Sequence, residues 1–132
     1  MASLRKEFLV AAPADKVWAV LADFGAVDKL APGFVTECRL DGEGARNITF
    51  SNGSTARELL VDSDATSRRL VYAIVGGRLT HYNASAQVLS EPDGSGRFVW
   101  VVDFLPNEFA GYIDGQMELG AAAMRGALEK VA

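Results

Sequence analysis

Cysteine, histidine and basic residues are all scarce in this sequence of 132 residues. Cys38 is the only cysteine, so the fold contains no internal disulfide and does not depend on an oxidising compartment. His81 is the only histidine, which excludes a multi-histidine metal site, and no metal or other cofactor is expected. The 13 basic residues are outnumbered by 17 acidic ones, and a net charge of -4 without a basic run argues against a nucleic acid partner.

Long apolar runs are also missing. No run approaches the ~18 residues of a membrane span, and Met1–Phe8 carries charges where a secretory signal needs apolar residues. We therefore expect a cytoplasmic protein, monomeric or weakly homodimeric, with no integral membrane association. The hydrophobic share of 49% is typical of globular proteins, and the length suits a single domain over residues 1–132.

The periodicity along the chain predicts an α+β fold. An extended segment around Leu4–Val10 precedes Pro13, which suits a helix start, and a second short helix is predicted over Ala26–Ala31. From Phe34 the period shifts to two, and turn residues separate the segments. The predicted strands are Phe34–Leu40, Arg46–Phe50, Thr55–Val61, Arg69–Val75, Leu79–Leu89 and Arg97–Phe104. A long helix is predicted over Asn107–Val131, and the short connections favour an antiparallel sheet wrapped round it.

Alternation along the strands predicts which side chains face the helix. The inward set includes Tyr72, Ile74, Tyr82, Ala84 and Trp100. The strand Thr55–Val61 is ambiguous, because either Glu58 or Arg57 points inward and hydrophobicity slightly favours the face with Arg57.

Small residues are predicted on both sides of the interface between sheet and helix. Ala84 and Ala86 on a strand would face Gly120 and Ala123 on the helix. Because protein interiors are close-packed, either the helix approaches the sheet closely or a cavity remains. A ligand cavity would measure roughly 300–1,000 Å³.

Several polar groups are expected in or near this apolar interior. Buried polar groups need partners, and a few of them converging in an apolar cavity also describe a small-molecule site. The set is Thr36, Glu58 or Arg57, Tyr72, Tyr82, Trp100 and Gln116.

In order along the chain, several stretches resemble the START/birch-pollen-allergen-like superfamily, called SRPBCC, in its polyketide cyclase/dehydrase branch. They are Ala11–Phe24, Ala31–Gly33, Arg57–Leu60, Arg69–Tyr72 and a strand containing Tyr82. The resemblance implies a helix-grip fold: a curved antiparallel sheet of about seven strands round a long C-terminal helix, with two short helices after the first strand. It also implies a hydrophobic cavity between sheet and helix.

Within the superfamily, Ser54–Leu59 and Ile74–Tyr82 are similar to the plant abscisic-acid receptors. This likeness implies that Glu58 points inward and joins Tyr82 in a polar network around a ligand. It also implies that Tyr72 and Ile74 line the cavity and that Leu79 belongs to a loop at its mouth. Thr36 stands where those receptors carry a ligand-anchoring lysine, and their gate loop is not matched, so no phosphatase partner is expected.

Three functions remain open at this point. The first is binding or transport of a small hydrophobic molecule, lipid-, polyketide- or terpenoid-like, with no catalytic residue. The second is a polyketide cyclase/dehydrase-type enzyme in which Glu58, Tyr72 and Tyr82 move protons, without an inward arginine to polarise a carbonyl. The third is an interaction protein with a filled core. The predicted ligand-binding residues are Thr36, Glu58, Tyr72, Ile74, Leu79, Tyr82, Ala84, Trp100, Gln116, Gly120 and Ala123.

Overall fold

A seven-stranded sheet and three helices make up residues 1–131, the part of the chain that the computed structural model describes. The strands are β1 (Ala2–Pro13), β2 (Val35–Leu40), β3 (Ala45–Phe50), β4 (Thr55–Asp64), β5 (Arg69–Val75), β6 (His81–Ser90) and β7 (Ser95–Leu105). The helices are α1 (Ala14–Ala22), α2 (Val27–Leu30) and α3 (Ala110–Leu128). Short 3-10 turns cover Phe24–Ala26 before α2, and Asn107–Phe109 and Glu129–Val131 on either side of α3.

The strands form one antiparallel sheet in the order β1-β7-β6-β5-β4-β3-β2. From β2 to β7 each strand pairs with the next along the chain, as the short turns require. The N-terminal strand closes the other edge by pairing along β7, from Ala2 opposite Phe104 to Val10 opposite Gly96. This architecture is the helix-grip α+β fold that the sequence predicts.

Helix α3 packs one apolar stripe against the sheet. The buried positions are Ile113, Met117, Gly120, Met124 and Leu128, which recur at helical spacing. At the edge of the sheet, Lys6 Nζ on β1 bonds the carboxylates of Asp114 at 2.6 Å and Glu118 at 2.5 Å. The apolar stripe and these ion pairs together hold α3 across the inner face of the sheet.

The inner face of β4 carries Glu58, whose exposed fraction is only 4%. Arg57 is exposed on the outer face, where it pairs with Asp41. The hydrophobicity argument for Arg57 is therefore wrong, and the orientation implied by the resemblance is correct. Glu58 can be buried because a buried cation on the neighbouring strand pairs with it. The average hydrophobicity of a strand face does not take such a partner into account.

Thr36 lies outside the cavity because of a β-bulge near the start of β2. The pairing with β3 shifts between Val35 and Glu37, so Thr36 is an extra residue on its strand. The bulge leaves Val35 buried and turns Thr36 to solvent, where its hydroxyl bonds the carbonyl oxygen of Thr49 at 3.2 Å. Simple alternation counted from Phe34 cannot anticipate this change of face.

Candidate ligand-binding cavity

A cavity of about 220 Å³ lies between the inner face of the sheet and α3. Its walls are mostly apolar, with Leu70, Phe98 and Met117 among the deeply buried contributors. The volume is smaller than predicted because α3 also approaches the sheet closely. A Cβ atom placed on Gly120 would lie 3.1 Å from Phe34 Cε2 and 3.2 Å from the Trp100 ring. The sequence left open whether α3 approaches the sheet closely or leaves a cavity. The structure has a close approach at Gly120 and a cavity beside it.

A buried ion pair forms the polar part of the wall. Arg46 on β3 is directly opposite Glu58 on β4. Arg46 Nε donates to Glu58 Oε1 at 2.8 Å, and Arg46 Nη2 reaches the same oxygen at 2.7 Å. Arg46 Nη1 donates to the carbonyl oxygen of Phe24 at 2.9 Å. Each guanidinium nitrogen thus has a protein partner, as burial of a charge requires.

Aromatic rings cover the Arg46 guanidinium. Its central carbon lies 4.0 Å from the centroid of the Phe24 ring and 5.2 Å from that of Tyr72. The faces of both rings attract the cation. Arg46 is therefore enclosed, with an exposed fraction of 3%.

Glu58 is held through one carboxylate oxygen only. The hydrogen bond from Arg46 Nε and the ion-pair contact of Arg46 Nη2 both involve Oε1, and Oε2 has no hydrogen-bond partner within residues 1–131. In this part of the chain, every fully buried side-chain oxygen or nitrogen has a hydrogen-bond partner. Because Oε2 has none, it must retain some accessible surface. Because Glu58 is buried and lies on the cavity wall, that surface opens into the cavity. Burial raises the pKa of the Glu58 carboxyl, and Arg46 opposes this shift.

Two tyrosines and a tryptophan continue the polar wall. Trp100 Nε1 donates to the Tyr72 hydroxyl at 3.1 Å, and the rings of Tyr72 and Tyr82 lie 6.5 Å apart. Burial raises the pKa of the Tyr72 hydroxyl, with a further rise from the Glu58 charge. Burial also raises the pKa of Tyr82 well above its usual value, and Tyr72 and Glu58 add to the effect. Both hydroxyls therefore stay protonated at neutral pH.

The cavity reaches the surface beside the β5–β6 loop. Exposed residues of that loop, Gly76 to Arg78, lie on its wall together with Tyr112 at the start of α3. Across the opening, Asn52 Nδ2 in the β3–β4 turn lies 3.1 Å from the Tyr112 hydroxyl. A hairpin turn and a helix terminus thus meet at the mouth.

Most of the predicted ligand-binding residues are placed on the cavity wall. They are Glu58, Tyr72, Ile74, Leu79, Tyr82, Trp100, Gln116 and Gly120. Thr36, Ala84 and Ala123 are not. Ala84 is fully buried in close packing, and its neighbour on the same face, Ala86, lies on the wall instead.

Arg46 is the site residue that the sequence analysis missed, and the expectation that no arginine points inward is wrong. A signal was present: Arg46, Ile48 and Phe50 alternate on one face of β3. Counting back from the three-residue turn Ser51–Gly53, across which Phe50 faces Ser54, also places Arg46 opposite Glu58. Opposite charges in directly facing positions are a favourable cross-strand pair.

The geometry of the site can be compared with known proteins. The sequence profile of a family described as polyketide cyclase/dehydrase and lipid transport matches residues 1–132. The chain belongs to this family. The SRPBCC resemblance is thereby confirmed. No curated protein matches the chain significantly.

Several solved structures share the fold. A protein from Thermobifida fusca is 28% identical, with a TM-score of 0.80 over 99% of this chain and 95% of its own. A START superfamily protein from Mycobacterium smegmatis is 14% identical, with a TM-score of 0.81 over 98% and 99%. Truncated norcoclaurine synthase from Thalictrum flavum is 22% identical, with a TM-score of 0.77 over 98% and 92%.

Among residues 1–131, no group of three or more His, Cys, Asp or Glu side chains is arranged to hold a metal ion. Within the same residues, no helix is both long and apolar enough to cross a membrane.

Proposed function

We propose that this protein binds or carries a small, mostly apolar molecule in the cavity between the sheet and α3. The observation that carries the proposal is the combination of an apolar wall with one polar atom, Glu58 Oε2, that lacks a protein partner. An apolar cavity with a few fixed polar groups is the usual form of a small-molecule site. Membership of the polyketide cyclase/dehydrase and lipid transport family agrees with this function.

The cavity volume limits the size of the ligand. A protein cavity of about 150 Å³ accepts benzene, so about 220 Å³ suits a molecule of one or two rings. A polyketide- or terpenoid-like fragment meets this limit, whereas a lipid with two acyl chains does not. The same fold holds ring-sized molecules elsewhere, since norcoclaurine synthase has been solved with dopamine and hydroxybenzaldehyde.

A cyclase or dehydrase acting by proton transfer is the second candidate. It is favoured by Glu58 Oε2, a carboxylate oxygen free to exchange a proton inside an apolar cavity. The tyrosines argue against it, because the raised pKa values of Tyr72 and Tyr82 make both hydroxyls poor proton donors. If the protein is an enzyme, Glu58→Gln should reduce turnover by ~10²–10⁴-fold. A binding protein should lose only part of its affinity.

A direct test uses 2-methoxynaphthalene, a neutral two-ring compound, titrated into the protein while its fluorescence is followed. We expect saturable binding with one site per chain. Ala86→Leu, which extends a side chain into the cavity, should abolish binding. Ala122→Leu makes the same change on the exposed face of α3 and should leave binding intact. Binding that is absent from the unaltered protein, or that survives Ala86→Leu in a folded variant, contradicts the proposal.

A further inference from the structure

The buried end of the cavity offers a ligand an anionic acceptor rather than a cation. Arg46 looks at first like an anchor for an acidic ligand. However, its three nitrogens already contact Glu58 Oε1 and the Phe24 carbonyl oxygen. The rings of Phe24 and Tyr72 lie against the same guanidinium. Arg46 is therefore occupied in positioning Glu58.

Glu58 is half used. Oε1 accepts the hydrogen bond from Arg46 Nε and contacts Nη2, while Oε2 has no partner among residues 1–131 and opens into the cavity. A carboxylate oxygen is a strong acceptor, and leaving it without a donor in an apolar site costs free energy. A ligand that brings an N–H or O–H group to this oxygen removes the cost. A ligand carboxylate at the same place would bring two negative oxygens together.

The Tyr82 hydroxyl is a second polar group on the cavity wall. It interacts with the Tyr72 hydroxyl, and no other side chain within residues 1–131 bonds it. It lies on the cavity wall, close enough to Glu58 for that charge to affect its pKa. A hydroxyl both donates and accepts, so it suits a ligand hydroxyl or amine that donates to Glu58 and can accept in return.

We infer that the natural ligand is an apolar molecule of one or two rings carrying a hydroxyl or amino group, and that this group donates a hydrogen bond to Glu58 Oε2. This inference rests on the proposed function and narrows it to one class of ligand. Tyr82 is the second polar contact. Arg46 is a positioning residue, which holds Oε1 and leaves Oε2 for the ligand. Carboxylic acids are excluded from the buried end of the cavity.

Three naphthalene derivatives of nearly equal size test the inference. 2-Naphthol carries a donor, 2-methoxynaphthalene carries an acceptor only, and 2-naphthoate carries a carboxylate. In neutral buffer we expect 2-naphthol to bind the unaltered protein about tenfold or more tightly than the methyl ether, because it adds one bond to a charged acceptor. 2-Naphthoate should bind more weakly than either.

Two variants assign the preference to Glu58. Arg46→Met/Glu58→Met removes both charges together, so no buried charge is left without a partner. In this double variant the affinity ratio of 2-naphthol to the ether should fall to about twofold or less. Arg78 at the mouth is the other cation on the cavity wall within residues 1–131, so 2-naphthoate is also titrated into Arg78→Gln. The comparison of the three compounds on the unaltered protein stands even if the double variant does not fold.

The possible results distinguish a failure of this inference from a failure of the proposed function. If none of the three compounds binds, the proposed function fails and the inference fails with it. If all three bind equally, if 2-naphthoate binds Arg78→Gln most tightly, or if the folded double variant keeps the full preference, the inference fails while a binding function stands. A donor preference that disappears with the Arg46–Glu58 pair supports both.

Discussion

Arg46 and Glu58 contribute more to the chemistry of the cavity than to the stability of the fold. Transfer of two charges out of water costs several kcal/mol per ion, and the attraction between them repays this cost only when the geometry is good. Here both partners are almost fully buried and are joined at 2.7 and 2.8 Å. We therefore expect a small net effect of the pair on stability and a large effect of separating it.

Removal of one partner of the ion pair should lower the free energy of unfolding more than removal of both. Arg46→Met leaves the Glu58 carboxylate buried without a counter-charge, and the free energy of unfolding should fall by about 3–5 kcal/mol. Arg46→Met/Glu58→Met should recover most of that loss, because no buried charge remains. Urea denaturation of the three proteins gives the values. A double variant as unstable as Arg46→Met would show that the pair itself stabilises the fold.

The raised pKa of Glu58 predicts how the destabilisation caused by Arg46→Met depends on pH. Burial raises the folded pKa of Glu58 above its ordinary value of 4.5, and Arg46→Met removes the charge that opposes this rise. Protonation of Glu58 therefore favours the folded variant. The stability that this protonation contributes is fully present below about pH 4.5. It is lost as the pH rises through the folded pKa of Glu58.

Accordingly, Arg46→Met should lie closest in stability to Arg46→Met/Glu58→Met in acid and furthest below it at neutral pH. The double variant is the matched control, since it lacks the titrating group. Urea midpoints measured across this pH range provide the comparison. A difference that does not change with pH would mean that water reaches Glu58 in the variant and keeps it ionised.

Helix α3 is placed by side chains of very different size. Gly120 lets the helix approach Phe34 and Trp100, while larger residues of the same stripe, such as Met117, fill the space on either side. The opposite face of α3 has open space, and a Cβ atom on Gly115 would meet nothing within 4 Å. The same residue type thus has a packing role at one position and none at the other.

Alanine at these two glycines should give opposite results. Gly115→Ala should stabilise the protein by about 0.5–1 kcal/mol, because alanine favours the helix. Gly120→Ala gains the same propensity but pushes against two aromatic rings, at an overpacking cost of about 1–3 kcal/mol. We expect it to be less stable than Gly115→Ala by that amount, and to bind 2-methoxynaphthalene more weakly. Equal melting temperatures for the two variants would indicate that Trp100 and Phe34 move aside freely.

Sheet, α3 and cavity belong to one cooperative structure. Residues of strands β2 to β7 and of α1, α2 and α3 line the cavity, so its shape depends on nearly every element of the fold. Unfolding of a single domain of this length normally occurs in one step. A ligand held only by the folded state therefore stabilises the whole chain.

Thermal melts should show this coupling. At a concentration of about 100 times its dissociation constant, a ligand adds about 2.7 kcal/mol to the free energy of unfolding. For a domain of this size the midpoint should rise by ~10 °C. Ala86→Leu should show no rise, and Ala122→Leu should show the full rise. A rise of equal size in Ala86→Leu would place the compound elsewhere on the protein.

Local patterns of residues predict the order of the elements along the chain. Periodicity identifies the seven strands and the stripe from Ile113 to Leu128, because both patterns arise from local backbone geometry. The three-residue turn Ser51–Gly53 sets the pairing of β3 with β4, and with it the facing positions of Arg46 and Glu58. The family resemblance added the inward orientation of Glu58.

Contacts between distant segments determine which of these positions belong to the site. The bulge beside Val35 turned Thr36 outward, and the approach of α3 at Gly120 reduced the cavity to about 220 Å³. Burial of Arg46 depends on the Phe24 carbonyl and ring, which come from a segment more than twenty residues away along the chain. Burial is a property of surfaces that distant segments cover together, and no local pattern of residues encodes it.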